Sequence, residues 1–318
     1  MTHSWLERPE GGSATGLRLI RTFALLCGRR LARLALYPIT LYYLVRRGPE
    51  RRASIDYLSR VLQRRPSLWN VAKHIFWFAS VILDRVFLLS ERFKRFDIKL
   101  VGLHELRQRV SMDRGVLVFG SHLGSFDALR VLTQLRKDVQ FRAVIDIEQN
   151  PALSAILNAL NPQLASSIIN ARRDGTTTAL AIKEALDAKS VVTMLADRAR
   201  HGNATVTVDF LGAPAPFPAS PFLLAAALKV PVVLCFGLYF GGNRYELHFE
   251  SFADVLTIDR ANREAALKAV VQRFADRVAH YAHLAPYNWF NFYDFWQTPA
   301  VHSVSDARTT HPDALRQS

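Results

Sequence analysis

The sequence predicts an α/β protein, in which a mostly parallel or mixed sheet is sandwiched by helices and preceded by an N-terminal helical, membrane-associating region. Three observations predict it. From residue 96 onward, short apolar stretches alternate with helical patterns. Before that point, apolar residues recur at helical spacing. The first hundred residues also hold 19 of the 41 Lys and Arg residues, which favours an anionic surface nearby.

Composition narrows the class of protein further. Half of the 318 residues are hydrophobic, so the chain can bury a large core. Two cysteines, Cys27 and Cys235, are too few for a disulfide framework and favour a reducing compartment. The net charge of +14 suits a membrane surface, a nucleic acid or an acidic protein. No nucleic-acid-binding motif accompanies the charge, so no nucleic acid partner is expected.

The N-terminal region is strongly apolar from Leu17 to Val45, but five arginines interrupt it: Arg18, Arg21, Arg29, Arg30 and Arg33. Its uninterrupted part, Leu34 to Val45, is 12 residues long and contains Pro38. A spanning helix needs about 20 apolar residues. Arginines and aromatic residues within an apolar helix suit a segment lying in the interface of an anionic membrane. A long core helix and a transmembrane arrangement with neighbouring segments are the alternatives.

Four regions follow from these patterns: a flexible arm (1–16), the helical membrane-associating region (17–95), an α/β domain (96–297) and a polar tail (298–318). Pro66 separates two helices of the second region. The expected strands, in order, are FDIKLVGL, GVLVFG, FRAVID, SSIIN, VVTMLAD, ATVTVDFLG, VPVVLCFGLYF and RYELHFESF. A short helix is expected from His104. Longer helices are expected at 125–137, 151–160, 175–188, 219–228 and 261–282. A proline-rich turn is expected after the sixth strand.

The turn "GSHLGSFD" between the second strand and its helix carries the first candidate site. His122 lies at the carboxyl end of a strand, where α/β proteins bind ligands. Asp127 falls in the first helical turn, with Ser125 as a plausible N-cap. We expect the Asp127 carboxylate to reach the imidazole, fix its tautomer and stabilise its protonated form. Gly120 and Gly124 would leave room for substrate, and free N–H groups would favour an anion.

Other interpretations of this turn stay open. Asp127 could merely suit a helix N-terminus, and His122 could be structural. A serine nucleophile at Ser121 or Ser125 is less favoured, since no GxSxG elbow is present. The glycines are spaced G-x-x-x-G, and the chain has neither GxGxxG nor a P-loop.

Several blocks resemble the glycerolipid acyltransferase superfamily, and most closely its branch related to the bacterial lipid A late acyltransferases. "GSHLGSFDALR" resembles the H-x-x-x-x-D block, and "INARRDGTTTALAIKEAL" (169–186) resembles the second block. Residues 191–236 resemble the third and fourth blocks, and "NWFNFYDFW" (288–296) resembles a C-terminal signature of that branch. The resemblance covers residues 14–297 in the family's order.

This resemblance implies acyl transfer from an acyl carrier protein or CoA thioester to a hydroxyl or amine of a lipid, glycolipid or lipid-like acceptor. His122 would be the general base and Asp127 its orienting partner, while Arg172 and Arg173 would contact a phosphate or similar anion. The thioester is a co-substrate, and no other cofactor or metal is expected. The implied location is the cytoplasmic face of a bacterial inner membrane, with acyl carrier protein as a partner that suits the basic first third.

The sequence departs from the family pattern in two places. The lipid A enzymes usually carry Glu where this chain has Asp127. The glycerolipid third block, F-P-E-G-[TS]-R, is absent, and only Phe217 and Pro218 of it remain in "PFPASP". The second departure argues against a glycerol-phosphate acceptor.

The remaining candidates bind substrate in our interpretation. Asp197 and Arg198 close a predicted strand on the same sheet edge as His122, with a structural ion pair as the rival role. Gly124 and Ser125 belong to the turn already described. Phe210, Leu211 and Gly212 would shape the pocket, with core packing alone as the rival role.

Two functional alternatives remain beside acyl transfer to an acceptor. A thioesterase would send the acyl group to water, and a non-catalytic module would only bind a membrane or a nucleic acid. The aromatic run Trp289–Trp296 could line an acyl groove, anchor to a membrane interface or pack against helices.

Overall fold

A computed structural model describes residues 14–112, 114–135, 139–147, 157, 159–161, 165–171, 174–199 and 203–296. The predicted polar tail, most of the predicted arm and most of the helix expected at 151–160 lie outside these residues. The statements below concern the described part of the chain.

Four helices form the N-terminal region, as the sequence predicts: α1 (Ala14–Leu34), α2 (Leu36–Arg46), α3 (Gly48–Leu62) and α4 (Leu68–Leu89). Gly28 interrupts α1 with a φ of 79°. A capping box begins α4, in which the Ser67 hydroxyl accepts from the Asn70 N–H and the Asn70 side chain accepts from the Ser67 N–H. Among the described residues, none of the helices combines the length and apolar character needed to cross a membrane.

The α/β part follows from residue 97. Its strands are β1 (Asp97–Val101), β2 (Val116–Gly120), β3 (Phe141–Ile145), β4 (Ile169–Asn170), β5 (Val191–Leu195), β6 (Thr205–Phe210), β7 (Ala213–Pro218), β8 (Val232–Tyr239) and β9 (Arg244–Ala253). Its helices are α5 (Leu103–Val110), α6 (Val131–Leu135), α7 (Gly175–Asp187), α8 (Ser220–Leu228) and α9 (Arg263–Leu284). A 3-10 helix, Phe126–Arg130, precedes α6, so the helix expected from residue 125 begins with a tighter turn.

Seven strands form one sheet in the order β1-β9-β8-β2-β5-β3-β4, and β8–β9 is its antiparallel pair. The predicted mostly parallel sheet flanked by helices is confirmed. Alternate residues of the buried strand β2 face opposite layers. Leu117 and Phe119 pack with α3, α7, α8 and α9, whereas Val116 and Val118 pack with α1, α5 and the end of α4.

The stretch expected to be a proline-rich turn is instead strand β7, which pairs with β6 as an antiparallel hairpin. Its prolines, Pro214, Pro216 and Pro218, alternate along the strand. Because alternate residues direct their backbone groups to the same edge, the missing N–H groups all fall on one side. A strand can therefore carry three prolines when its hydrogen bonds are made by the residues between them. The prediction of a turn rested on proline content alone and is wrong.

Candidate active site

The central strands bring two loops together at one edge of the sheet. Strands β2 and β5 run parallel and are paired in register, so that Gly120 lies opposite Leu195. The chain leaves both strands at this edge. His122 lies two residues after the end of β2, and Asp197 lies two residues after the end of β5. The carboxyl edge of a parallel sheet is where such proteins place their ligands.

His122 and Asp197 form a close hydrogen-bonded pair. The His122 Nδ1 lies 2.8 Å from Asp197 Oδ1, and the His122 backbone N–H donates to Asp197 Oδ2 over 2.9 Å. Asp197 is fully buried, whereas 29% of the His122 side chain is exposed. The pair thus presents its histidine to solvent and keeps its carboxylate inside.

The carboxylate is ionised in this environment. Burial alone would raise the pKa of Asp197, but the charge and hydrogen bonds of His122 and the nearby Arg198 lower that pKa to about 2. An ionised carboxylate only accepts hydrogen bonds, so the proton of a neutral His122 ring resides on Nδ1. Nε2 then carries the free lone pair, and no hydrogen-bond partner for it is found among the described residues.

The structure corrects the expected partner of the histidine. Asp127 does not supply the carboxylate on the His122 ring; its Oδ2 accepts from Arg85 Nε of α4 over 2.7 Å. Asp127 lies in the first turn of a 3-10 helix that packs against α4, and its side chain is directed to that helix. The ring partner comes from the neighbouring parallel strand rather than from the same turn.

The turn itself is clamped by two other segments. The Gly124 N–H donates to the Asn288 carbonyl over 2.8 Å, and the Ser125 N–H donates to the Gly237 carbonyl over 2.7 Å. Gly124 has a φ of +72°, and a Cβ there would lie 1.9 Å from the Gly237 oxygen. The glycine is therefore required by backbone packing against the Gly237 carbonyl.

Two further expectations for this turn are corrected. The N–H groups of Gly124 and Ser125 are already used, so they do not form the expected anion site. Ser125 makes no side-chain capping bond, and its buried hydroxyl and that of Ser121 have no partner among the described residues.

The other predicted site residues that the structure describes make contacts of their own. Arg198 donates from Nη2 to the Phe290 carbonyl over 2.7 Å and lies over the Tyr293 ring. Phe210 is buried and packs against other aromatic rings, and Gly212 occupies the left-handed position of the β6–β7 turn with a φ of 79°. The structure thus favours packing for Phe210 and a turn role for Gly212 over a pocket wall. Arg172 and Arg173 lie outside the described residues.

Two residues that contact the site were not found by sequence reasoning. Arg85 holds Asp127 from α4, and the Trp289 indole N–H donates to Asp197 Oδ2 over 3.2 Å. Both contacts join residues far apart in the chain, so no local pattern signals them. The adjacency of β2 and β5 could have indicated the pairing of His122 with Asp197.

A partly exposed histidine, backed by a buried carboxylate and with its second nitrogen open, is the arrangement of a general base. Fold and site thus define an α/β protein that carries a hydrogen-bonded His–Asp pair at the carboxyl edge of its sheet. The sequence profile described as bacterial lipid A biosynthesis acyltransferase matches residues 68–298. No curated protein matches the chain. The chain belongs to this acyltransferase family, and the resemblance predicted from its sequence blocks is confirmed.

Proposed function

We propose that this protein transfers an acyl group from an acyl carrier protein or CoA thioester to a hydroxyl or amine of a lipid, glycolipid or lipid-like acceptor. The observation that carries the proposal is the His122–Asp197 pair at the carboxyl edge of the sheet, in a chain of a lipid acyltransferase family. The family supports acyl transfer to a lipid; the donor, the acceptor group and the roles of the two residues are our proposal.

His122 acts as the general base in this mechanism. Nε2 accepts the proton of the acceptor hydroxyl or amine while the acceptor atom attacks the thioester carbonyl. The tetrahedral intermediate collapses and expels the thiolate, which takes the proton back from the imidazolium. The products are the acylated acceptor and a free thiol. Ionised Asp197 stabilises the imidazolium between the two proton transfers.

The exposure of the two side chains supports this division of roles. The partly exposed ring of His122 can meet an acceptor, whereas fully buried Asp197 can act only through the ring. The backbone bond from His122 to Asp197 Oδ2 fixes the carboxylate relative to the main chain. The pair is therefore held in the orientation that general-base catalysis needs.

The test compares purified wild type with His122→Ala in detergent. The probes are a panel of acyl carrier protein and CoA thioesters with a lipid extract of the host, and the readout is mass spectrometry of acylated lipid and of free fatty acid. We expect wild type to form a new acyl lipid and the variant to form about 10²- to 10⁴-fold less. His104→Ala is the matched control, because His104 is exposed on α5.

Three outcomes would contradict the proposal. Equal amounts of product from wild type and His122→Ala would show that His122 is not the general base. Free fatty acid as the sole product, released at the same rate without acceptor, would make the protein a thioesterase. Absence of any product with every donor would leave acyl transfer without support.

We also propose that the N-terminal helices lie on the cytoplasmic face of a bacterial inner membrane. Large apolar side chains are exposed along α1, α2 and the start of α4, among them Leu26, Leu34, Tyr37, Leu41, Val45 and Trp69. Those of α2 recur every three to four residues and so share one face. Arg30 and Arg46 are exposed in the same helices and would meet anionic headgroups.

Vesicle flotation tests this surface. Leu41→Glu should reduce recovery with phosphatidylethanolamine–phosphatidylglycerol vesicles, because a carboxylate would enter the apolar layer. Leu180→Glu is the matched control, since Leu180 of α7 is similarly exposed, at 56% against 60%. Equal loss in both variants, or none in Leu41→Glu, would contradict an interface at α2.

A further inference from the structure

The C-terminal segment Asn288–Phe290, which we call the NWF segment, contacts both loops of the candidate site, at His122 and Gly124 and at Asp197. The Asn288 carbonyl accepts from the Gly124 N–H, and the Phe290 N–H donates to the His122 carbonyl over 3.1 Å. The Asn288 side chain bonds both the N–H and the carbonyl of Tyr239 at the end of β8. The segment therefore ties the histidine turn to the sheet.

Trp289 is the centre of this segment and is fully buried. Its indole N–H is the third donor to Asp197, after the ring and the backbone of His122. Because Trp289 is fully buried, it packs inside the protein, which is one of the alternatives for the aromatic run. Its backbone carbonyl accepts from the Nε2 of buried His74 over 3.1 Å, so that the residue is held at both ends.

The surroundings of Trp289 fix the direction of its indole. Its ring packs against Tyr57 and Phe210, with centroids 5.1 and 5.0 Å away, and against Phe295 at 4.8 Å. These contacts come from α3, from β6 and from the chain that follows the NWF segment. A ring held on several sides cannot turn, so its N–H stays directed at the carboxylate.

We propose that Trp289 is a positioning residue for the His122–Asp197 pair, an inference that rests on the proposed function. The indole N–H and the His122 backbone N–H both bind Oδ2, which leaves Oδ1 for the ring. Two donors on one oxygen set the plane of the carboxylate. That plane in turn holds His122 in the Nδ1–H tautomer with Nε2 free for the acceptor.

Trp289→Phe removes the N–H and keeps an aromatic ring. We expect kcat to fall about 10- to 100-fold, the range for loss of one hydrogen bond to a charged group, with a much smaller change in KM. Trp296→Phe is the matched control, because the Trp296 indole belongs to the same aromatic cluster and donates to the Phe210 carbonyl instead. That control should keep a kcat close to the wild-type value.

A second measurement reads the tautomer without any substrate. In protein labelled with ¹⁵N-histidine, the spectrum of His122, assigned by its loss in His122→Ala, should show the Nδ1–H form in wild type and in Trp296→Phe. In Trp289→Phe it should show a mixture of both tautomers. If Trp289→Phe does not fold, benzothienylalanine at position 289 keeps the bicyclic shape and places sulfur where the N–H was.

The outcomes separate this inference from the function on which it rests. If wild type makes no acyl product with any donor, the proposed function fails, and the tautomer spectrum still decides the positioning role. An unchanged His122 tautomer in the folded position-289 variant would overturn the inference. So would equal loss of kcat in the Trp289 and Trp296 variants, because general damage to the aromatic cluster would then explain both.

Discussion

The buried His74 should make the folded protein sensitive to mild acid. His74 is completely buried between α3 and the NWF segment. Burial lowers its pKa from 6.5 to about 4, although the hydrogen bond to the Trp289 carbonyl acts in the opposite direction. Since a carbonyl only accepts, the neutral ring carries its proton on Nε2, and its Nδ1 accepts from the Ser54 hydroxyl.

The sign and size of the effect follow from linkage. Between pH 6.5 and pH 4 the unfolded chain binds a proton at His74 that the folded protein does not, so stability falls as the pH falls through this window. The stabilisation is complete above the unfolded pKa. A shift of this size corresponds to about 3 kcal/mol of unfolding free energy, of which about 2 kcal/mol is lost between pH 7 and pH 4.5.

Denaturant unfolding at pH 7 and pH 4.5, in one detergent, measures this contribution. His74→Gln keeps a neutral polar group but cannot titrate, so the difference in unfolding free energy between the two pH values should be about 2 kcal/mol smaller than in wild type. His104→Gln, at an exposed site, is the matched control. Equal loss of stability by His74→Gln and wild type on acidification would show that protonation of His74 does not destabilise the folded protein.

Two further substitutions test buried contacts of the fold, one between α1 and α4 and one in the histidine turn. Asp84→Ala leaves the Arg29 guanidinium without its buried carboxylate and should lower the unfolding free energy by about 3–5 kcal/mol. Asp187→Ala, at the exposed pair with Lys183, is the control and should lower it by less than about 1 kcal/mol. Equal losses of the two variants in urea titrations would contradict this prediction. Gly124→Ala forces a Cβ onto the Gly237 carbonyl and should abolish acyl transfer, whereas Gly175→Ala, whose Cβ meets nothing within 4 Å, should keep wild-type activity.

Much of the fold could be predicted from the sequence because its signals are local. Apolar runs such as Val116–Phe119 indicate buried strands, and helical spacing indicates α4 and α9. The hairpin strand β7 was not predicted, because a high proline content usually indicates a turn. The alternation of its prolines indicates a strand only when the partner strand β6 is known.

The candidate site was predicted in part, for the same physical reason. His122 was found because a strand end and a turn are visible locally. Its partner was misassigned to Asp127 because sequence proximity was taken as spatial proximity. Asp197 lies 75 residues away and reaches the ring through the pairing of β2 with β5. Trp289 is a further 92 residues along, and only the folded chain brings its indole to the carboxylate.

In the proposed mechanism His122 and Asp197 act as one catalytic unit, and a double-mutant cycle on kcat measures the coupling between them. The cycle uses His122→Ala, Asp197→Asn and the double variant, each assayed with the thioester and lipid that wild type turns over. We expect Asp197→Asn alone to reduce kcat about 10²- to 10⁴-fold and to reduce it no further once His122 is alanine. Multiplying losses, or the same coupling to His122 from Asp127→Asn in place of Asp197→Asn, would contradict the account.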